Sequence, residues 1–231
     1  MNARAVERRL RTLGDPTRAK HSLRFFRTGP GEYGEGDRFL GLTVPQIRAL
    51  ARELKSCELA TLEQLLQSPW HEARLLALVI LVEQCKRGDA AQREPIRALY
   101  LRNTHRINNW DLVDCSAAHI VGAGDRALLE RLARSPSLWE RRIAIIATFE
   151  AIRRNVFDDA LRIAAMLVGD GHDLIHKATG WMLREVGHRD RAAAERFLRK
   201  YAARMPRTML RYAIERFSER LRRQYLAAGR T

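Results

Sequence analysis

Cysteine is scarce in this chain of 231 residues: Cys57, Cys85 and Cys115 are odd in number, widely spaced and free of any CxxC pairing. They support neither a disulfide framework nor a zinc knuckle, and read as reduced core thiols. Long apolar runs are missing too. The longest, LLALVILV from Leu75 to Val82, is far below the roughly 20 residues that a membrane-spanning helix needs. The first residues, MNARAVERRLRTLGD, hold no apolar signal-peptide core and carry Glu7 and Asp15, the marks of an amphipathic helix belonging to the domain. The expectation is a soluble, cytoplasmic protein with no membrane partner. The seven histidines fall in no HExxH or other recognisable ligand spacing, so no metal site is expected.

Acid is short relative to base. Lys and Arg total 42 against 27 Asp and Glu, a formal charge of +15. That is the electrostatic footprint of a nucleic-acid binder, and a polyanion is the expected partner.

Alternating strand patterns are also absent, whereas apolar residues recur at helical spacing almost everywhere, as in ARLLALVILVEQCK and RRIAIIATFEAIRR. The pattern predicts an all-α chain. Breaks at GDP (14–16), TGPGEYGEGD (28–37), SPW (68–70), RGD (87–89), GAGD (122–125), SPS (135–137), GDGHD (169–173) and MP (205–206) divide it into helices of ordinary length. The segments resemble one another. SPWHEARLLAL and SLWERRIAI share Glu-x-basic-apolar, with Arg74 and Arg142 lying 68 residues apart, twice 34. Lys177 in IHKATGW and Arg211 in MLRYAI follow at spacings of 35 and 34. A period in this range predicts an α-solenoid of stacked helical hairpins over 1–231, one basic residue per repeat lining a concave surface with positive charge.

GPGEYG, Gly29 to Gly34, satisfies GxGxxG but follows the helical stretch AKHSLRFFR rather than a strand, so the dinucleotide-binding reading fails its structural test. It reads as a flexible Gly-rich connection from the first helical hairpin to a helix starting near Pro45, equally a structural loop or one lying close to a ligand. In NNWDLVD, Asn108 and Asp111 have the spacing of a helix N-cap with an acid at N3. Asp114 lies one turn beyond Trp110 on the same face, too far into the helix to be a cap. A carboxylate beside an indole repels the phosphates that the rest of the surface attracts, and requires either a neighbouring arginine or a chemical task. Trp139 and Arg142 share the start of another helix, and Trp181 is flanked by Lys177 and Arg184 at spacings of four and three. Aromatic faces with cations bind nucleotides, and a carboxylate among them can do chemistry. The basic end, RMPRTMLRYAIERFSERLRRQYL, fits a DNA grip or a solvated cap equally.

FLGLTVPQIRAL (39–50), NNWDLVD (108–114), LWERRIAI (138–145) and KATGWMLREV (177–186) together resemble the AlkD-type DNA alkylation repair glycosylases, built of HEAT-like helical repeats. The resemblance covers most of the chain in order. It implies a monomeric enzyme that removes positively charged N-alkylated purines, 3-methyladenine and 7-methylguanine, from double-stranded DNA without metal or cofactor. It further implies Asp114 as the catalytic carboxylate, Trp110 and Trp181 as aromatics against the damaged nucleotide's backbone, and Arg142 as a phosphate contact; the repeat spacing and the cations flanking Trp181 add Arg74, Lys177, Arg184 and Arg211 as weaker phosphate ligands. The family's third aromatic is typically tyrosine; here Phe25 in FFRTG stands for it, keeping the ring and losing the hydroxyl, followed by an inserted Gly-rich stretch. Two rival readings stay open: a non-catalytic protein binding bent, branched or damaged DNA, and a peptide-binding scaffold, which the charge disfavours.

Overall fold

The computed structural model describes residues 2–122 and 125–228. Among these the fold is all-α; one isolated bridge, Arg38 to Trp70, is the sole β-type pairing among them. The chain forms two compact units, Met1–Ile120 and Val121–Thr231. No helix among the described residues is long and apolar enough to cross a membrane.

The first unit runs through α1 (Ala3–Leu13), α2 (Pro16–Phe25), α3 (Val44–Glu53), α4 (Leu59–Leu66), α5 (His71–Arg87), α6 (Ala90–Arg102), α7 (Trp110–Asp114) and α8 (Ala117–Ile120). The punctuation seen in the sequence falls at their junctions. Gly14 ends α1, Asp15 caps α2 by accepting from Thr17 and Arg18 N–H, and Pro16 opens it, where its missing N–H costs nothing. Thr43 and Asp89 head reciprocal capping boxes with Gln46 and Gln92. Helix α5 is the centre: α3, α4, α6 and α8 pack on it, and it is buried nearly all round, from His71 to Cys85. Each of its fully buried residues Leu76, Leu78, Ile80 and Leu81 adds about 1.5–3 kcal/mol of transfer energy.

The second unit runs through α9 (Arg126–Ala133), α10 (Leu138–Ile146), α11 (Phe149–Arg153), α12 (Asp158–Leu167), α13 (Asp173–Arg189), α14 (Arg191–Tyr201), α15 (Arg207–Ala213) and α16 (Glu219–Ala228). The GAGD break falls at the start of this unit, its residues 123 and 124 outside the described residues. Helix α13 is central here, packed against α10, α12, α14 and α15. KATGW owes its glycine to this packing. A Cβ on Gly180 would lie 2.5 Å from both the Met209 carbonyl oxygen and the Tyr212 Cβ, so α15 approaches the bare backbone of α13. Gly180→Ala is expected to cost about 1–3 kcal/mol by overpacking, despite alanine's better helix propensity. A thermal melt unchanged or raised by that substitution would contradict the close approach.

Internal similarity is present, with its register one residue away from the sequence reading. Arg74 donates to the Ser68 carbonyl six residues back and to the buried Asp37, at 3.0 and 2.6 Å. Its counterpart in the second unit is Arg141, which donates to the Ser135 carbonyl six residues back and to Asp170, at 3.0 and 2.6 Å. The repeated motif is therefore Ser-Pro-x4-Arg, in which the arginine ties its helix start to the preceding turn and to an acid from another segment. Arg142, not Arg141, was the sequence's partner for Arg74; the 34-residue rhythm drew on an arginine one place too far.

Candidate functional site

The Gly-rich stretch between α2 and α3 is an ordered set of turns, with Gly34 N–H bonded to Arg27 carbonyl and Thr28 N–H to Leu23 carbonyl. It turns the chain so that Asp37 and Phe39 enter the first unit's core. Gly41, at φ +84°, closes it; a Cβ there would sit 2.1 Å from the Asp15 carbonyl oxygen, and its N–H donates to Glu72 at 2.7 Å. Glu72 also accepts from Leu40 and Leu42 N–H. A buried carboxylate thus serves three backbone donors of the loop, as burial requires.

Asp37 is the hub. One oxygen accepts from Arg74; the other meets His71 Nδ1 at 2.8 Å and Asn109 Nδ2 at 3.4 Å. The far nitrogen of the same imidazole, Nε2, meets Asp111 at 2.8 Å. A chain of alternating charge results, Asp111, His71, Asp37 and Arg74, with His71 2% exposed. Burial, the strongest influence on His71, opposes its charge, but Asp111 and Asp37 override it and hold the imidazole to about 9. Burial likewise works against the Asp37 carboxylate, and His71 and Arg74 together still keep it below its ordinary range.

NNWDLVD sits on this hub. The N-cap of α7 is Asn109, accepting from Trp110 N–H at 2.8 Å, not Asn108. Asp111 does not complete a capping box; it bonds Leu112 N–H and ties to His71. Rings stack outward from the imidazole: Phe39 at 4.6 Å and Phe26 at 5.0 Å between centroids, then Trp110 at 5.6 Å from Phe26. Phe25, 65% exposed, stands edge-on to Trp110 at 6.0 Å. Two of the aromatics picked from the sequence are therefore neighbours.

Asp114 is half-buried and lines a cleft of about 570 Å³. Around it stand Arg48 and Arg52 from α3 and Lys86 and Arg87 from α5, all four exposed. Glu83 neutralises part of this charge, 3.8 Å from Lys86 and 3.5 Å from Arg87. Sequence reasoning missed these four cations, although Arg48 and Arg52 share a helix face at i,i+4 and Lys86 and Arg87 end α5, the helix that carries the longest apolar run.

Arg74 is 3% exposed, and its guanidinium donates inward to Asp37 and the Ser68 carbonyl, since a buried cation must be paired. In the second unit Arg142 is 5% exposed and donates to the Leu174 carbonyl. Trp181 is half-buried, its indole N–H donating to Glu185 at 3.2 Å and its ring 5.5 Å from Phe149. Lys177 pairs with Asp173 at 2.7 Å, Arg184 with Glu215, and Arg211 is exposed. Cys85 and Cys115 are free thiols pushed up in pKa by burial. Among the described residues no cluster of His, Cys, Asp and Glu is arranged to hold a metal ion.

No curated protein matches the chain. Among solved structures it is similar to a predicted DNA alkylation repair enzyme from Enterococcus faecalis, with a TM-score of 0.68 at 16% identity, covering 89% of this chain and 97% of that one. That likeness speaks for the fold. The family model described as DNA alkylation repair enzyme matches residues 6–217, nearly the whole length, and the chain belongs to that family.

Proposed function

We propose that this protein is a monofunctional DNA glycosylase, releasing N3- or N7-alkylated purines from double-stranded DNA. The observation that carries the reading is Asp114, a half-buried acid in a cleft walled by Arg48, Arg52, Lys86 and Arg87. Cations on both helices suit the flanking phosphates, and they offset the repulsion an acid would exert on the strand. Alkylation puts positive charge on the purine. The N-glycosidic bond then breaks with its electron pair leaving on the base, which becomes neutral, and the sugar turns oxocarbenium-like. Asp114 stabilises that cation and orients the water that adds to it, the water's proton passing to the carboxylate and on to solvent. Phe25 and Trp110, edge-on neighbours, are the aromatics set against the nucleotide's backbone. Trp181 and Arg142 enter the reading through the family resemblance, and Lys177, Arg184 and Arg211 through the repeat spacing and the cations that flank Trp181. The chemistry asks for no metal or cofactor, and the enzyme acts as a monomer in the cytoplasm, on the nucleoid.

Each phosphate contact contributes about 0.9 to the slope of log affinity against log salt on B-DNA. Arg48→Ala with Arg52→Ala is therefore expected to shallow the slope by about 2, with weaker binding on every sequence. An unchanged slope would remove α3 from the interface.

The non-catalytic alternative draws on Phe25, which lacks the hydroxyl expected at its position. It predicts tight duplex binding with no release of the alkylated base.

A further inference from the structure

We propose that His71, backed by Asp37, is a positioning residue for the excision reaction: it fixes the one-turn helix α7 and thereby sets where Trp110 and Asp114 stand. The proposal rests on the glycosylase reading above.

Helix α7 is five residues long. A single turn has too few hydrogen bonds to hold its own orientation, because the dihedrals fixed by nucleation outweigh one or two bonds. Its orientation comes from outside. Residues 109 and 111, on either side of Trp110, both run to the Asp37–His71 pair: Asn109, fully buried, to Asp37 and Asp111 to His71. The second handle is the ring column. Phe26 touches both the His71 ring and the Trp110 ring, at 5.0 and 5.6 Å. Asp114 follows Asp111 by three positions, so a rotation of α7 released at Asp111 moves the carboxylate as well. His71 itself, 2% exposed, has no route to the substrate.

The stereochemistry of the tie is demanding. Both ring nitrogens face carboxylate oxygens, and each must donate, which requires the doubly protonated ring. Loss of one proton sets a lone pair against an oxygen and breaks one tie. The charged groups around the ring are Asp37 and Asp111 in direct contact, Arg74 behind Asp37, and Arg106, which feels both Arg74 and Asp37. The two acids oppose proton loss and the two arginines favour it; with the acids nearer, the proton leaves at about 9.

The test is single-turnover release from a duplex carrying one 7-methylguanine, at saturating protein, with protein-free release subtracted, from neutral pH to one unit beyond the His71 step. In the native protein the rate is expected to fall across that step while the duplex remains bound. His71→Gln, which keeps one of the two hydrogen bonds, is expected to be about 10- to 100-fold slower at neutral pH, the cost of a misplaced catalytic group, and to show no step. A second readout needs no catalysis: the Trp110 indole resonance in the native protein, assigned with Trp110→Phe, is expected to move along the titration of the ¹⁵N-labelled His71 ring. Native rates in folded His71→Gln, or an indole resonance indifferent to the His71 titration, would overturn the proposal. A native protein that releases no base at any pH defeats the glycosylase reading instead, and the indole titration then decides the positioning role alone. The same titration decides it if His71→Gln fails to fold.

Discussion

Asp37→Asn is expected to destabilise the first unit by about 3–5 kcal/mol, the usual result of removing one member of a buried ion-paired network. The substitution preserves shape and removes the charge that two buried cations share. Arg74 and His71, 3% and 2% exposed, then have no common counter-ion and too little water to replace it. At roughly 2–4 °C per kcal/mol for a chain of this size, the melt moves by about 10 °C, and calorimetry measures it directly. The pH dependence carries the same signature. His71 is held charged to about 9, so its pairing stabilises the fold fully below the ordinary imidazole range and is lost as pH rises through about 9. Asp37, kept below the usual carboxylate range, acts in the opposite sense: its contribution is complete above that range and vanishes as pH falls through its lowered value. Asp37→Asn flattens both limbs. A melt within 1 °C or so of native would mean that the hub is an incidental arrangement rather than a support.

Asp114→Asn should reduce base release by about 10²- to 10³-fold, the loss typical when one preorganised charge or dipole is taken from a transition state. Its effect on binding has the opposite sign. Asp114 shares its cleft with four cations, so removing its negative charge is expected to leave duplex affinity equal or slightly higher. Kinetically that is a group acting in the transition state alone: the rate at saturation falls and the dissociation constant does not rise. Weaker binding together with unchanged release would reverse the assignment and make Asp114 a structural acid.

Much of the fold could be read along the chain because its signals are local. The helical period of ARLLALVILVEQCK and the Gly14-Asp15-Pro16 and Gly88-Asp89 junctions each depend on residues within one or two turns, and they mark α5 and the ends of α1, α2 and α6 where the structure has them. Phe25 beside Trp110 was foreseeable only as two separate aromatics; the ring column that links Trp110 to His71 needs Phe26 at the end of α2 and Phe39, brought in by the loop. Asp37 was hidden for the same reason. It sits at the end of a Gly-rich stretch, 34 positions from His71, and no local rule pairs an acid in a turn with a histidine at a distant helix start. One signal was available: SPWHEAR and SPSLWER share Ser-Pro-x4-Arg, and an arginine repeated at the head of an apolar helix demands a buried acid. Reading charge period alone favoured Arg142 over Arg141, because both are basic and only the turn six residues earlier separates them. Asn108 and Asn109 posed the same difficulty; backbone geometry, not residue type, decides which asparagine caps α7.

The most direct measurement is single-turnover release of 7-methylguanine from a defined duplex by the native protein, with Asp114→Asn run beside it at equal occupancy. Release by the native protein and its near-loss in the variant, with both proteins bound, is the expected result. Tight binding without release by either, or release that survives in the variant, would contradict it.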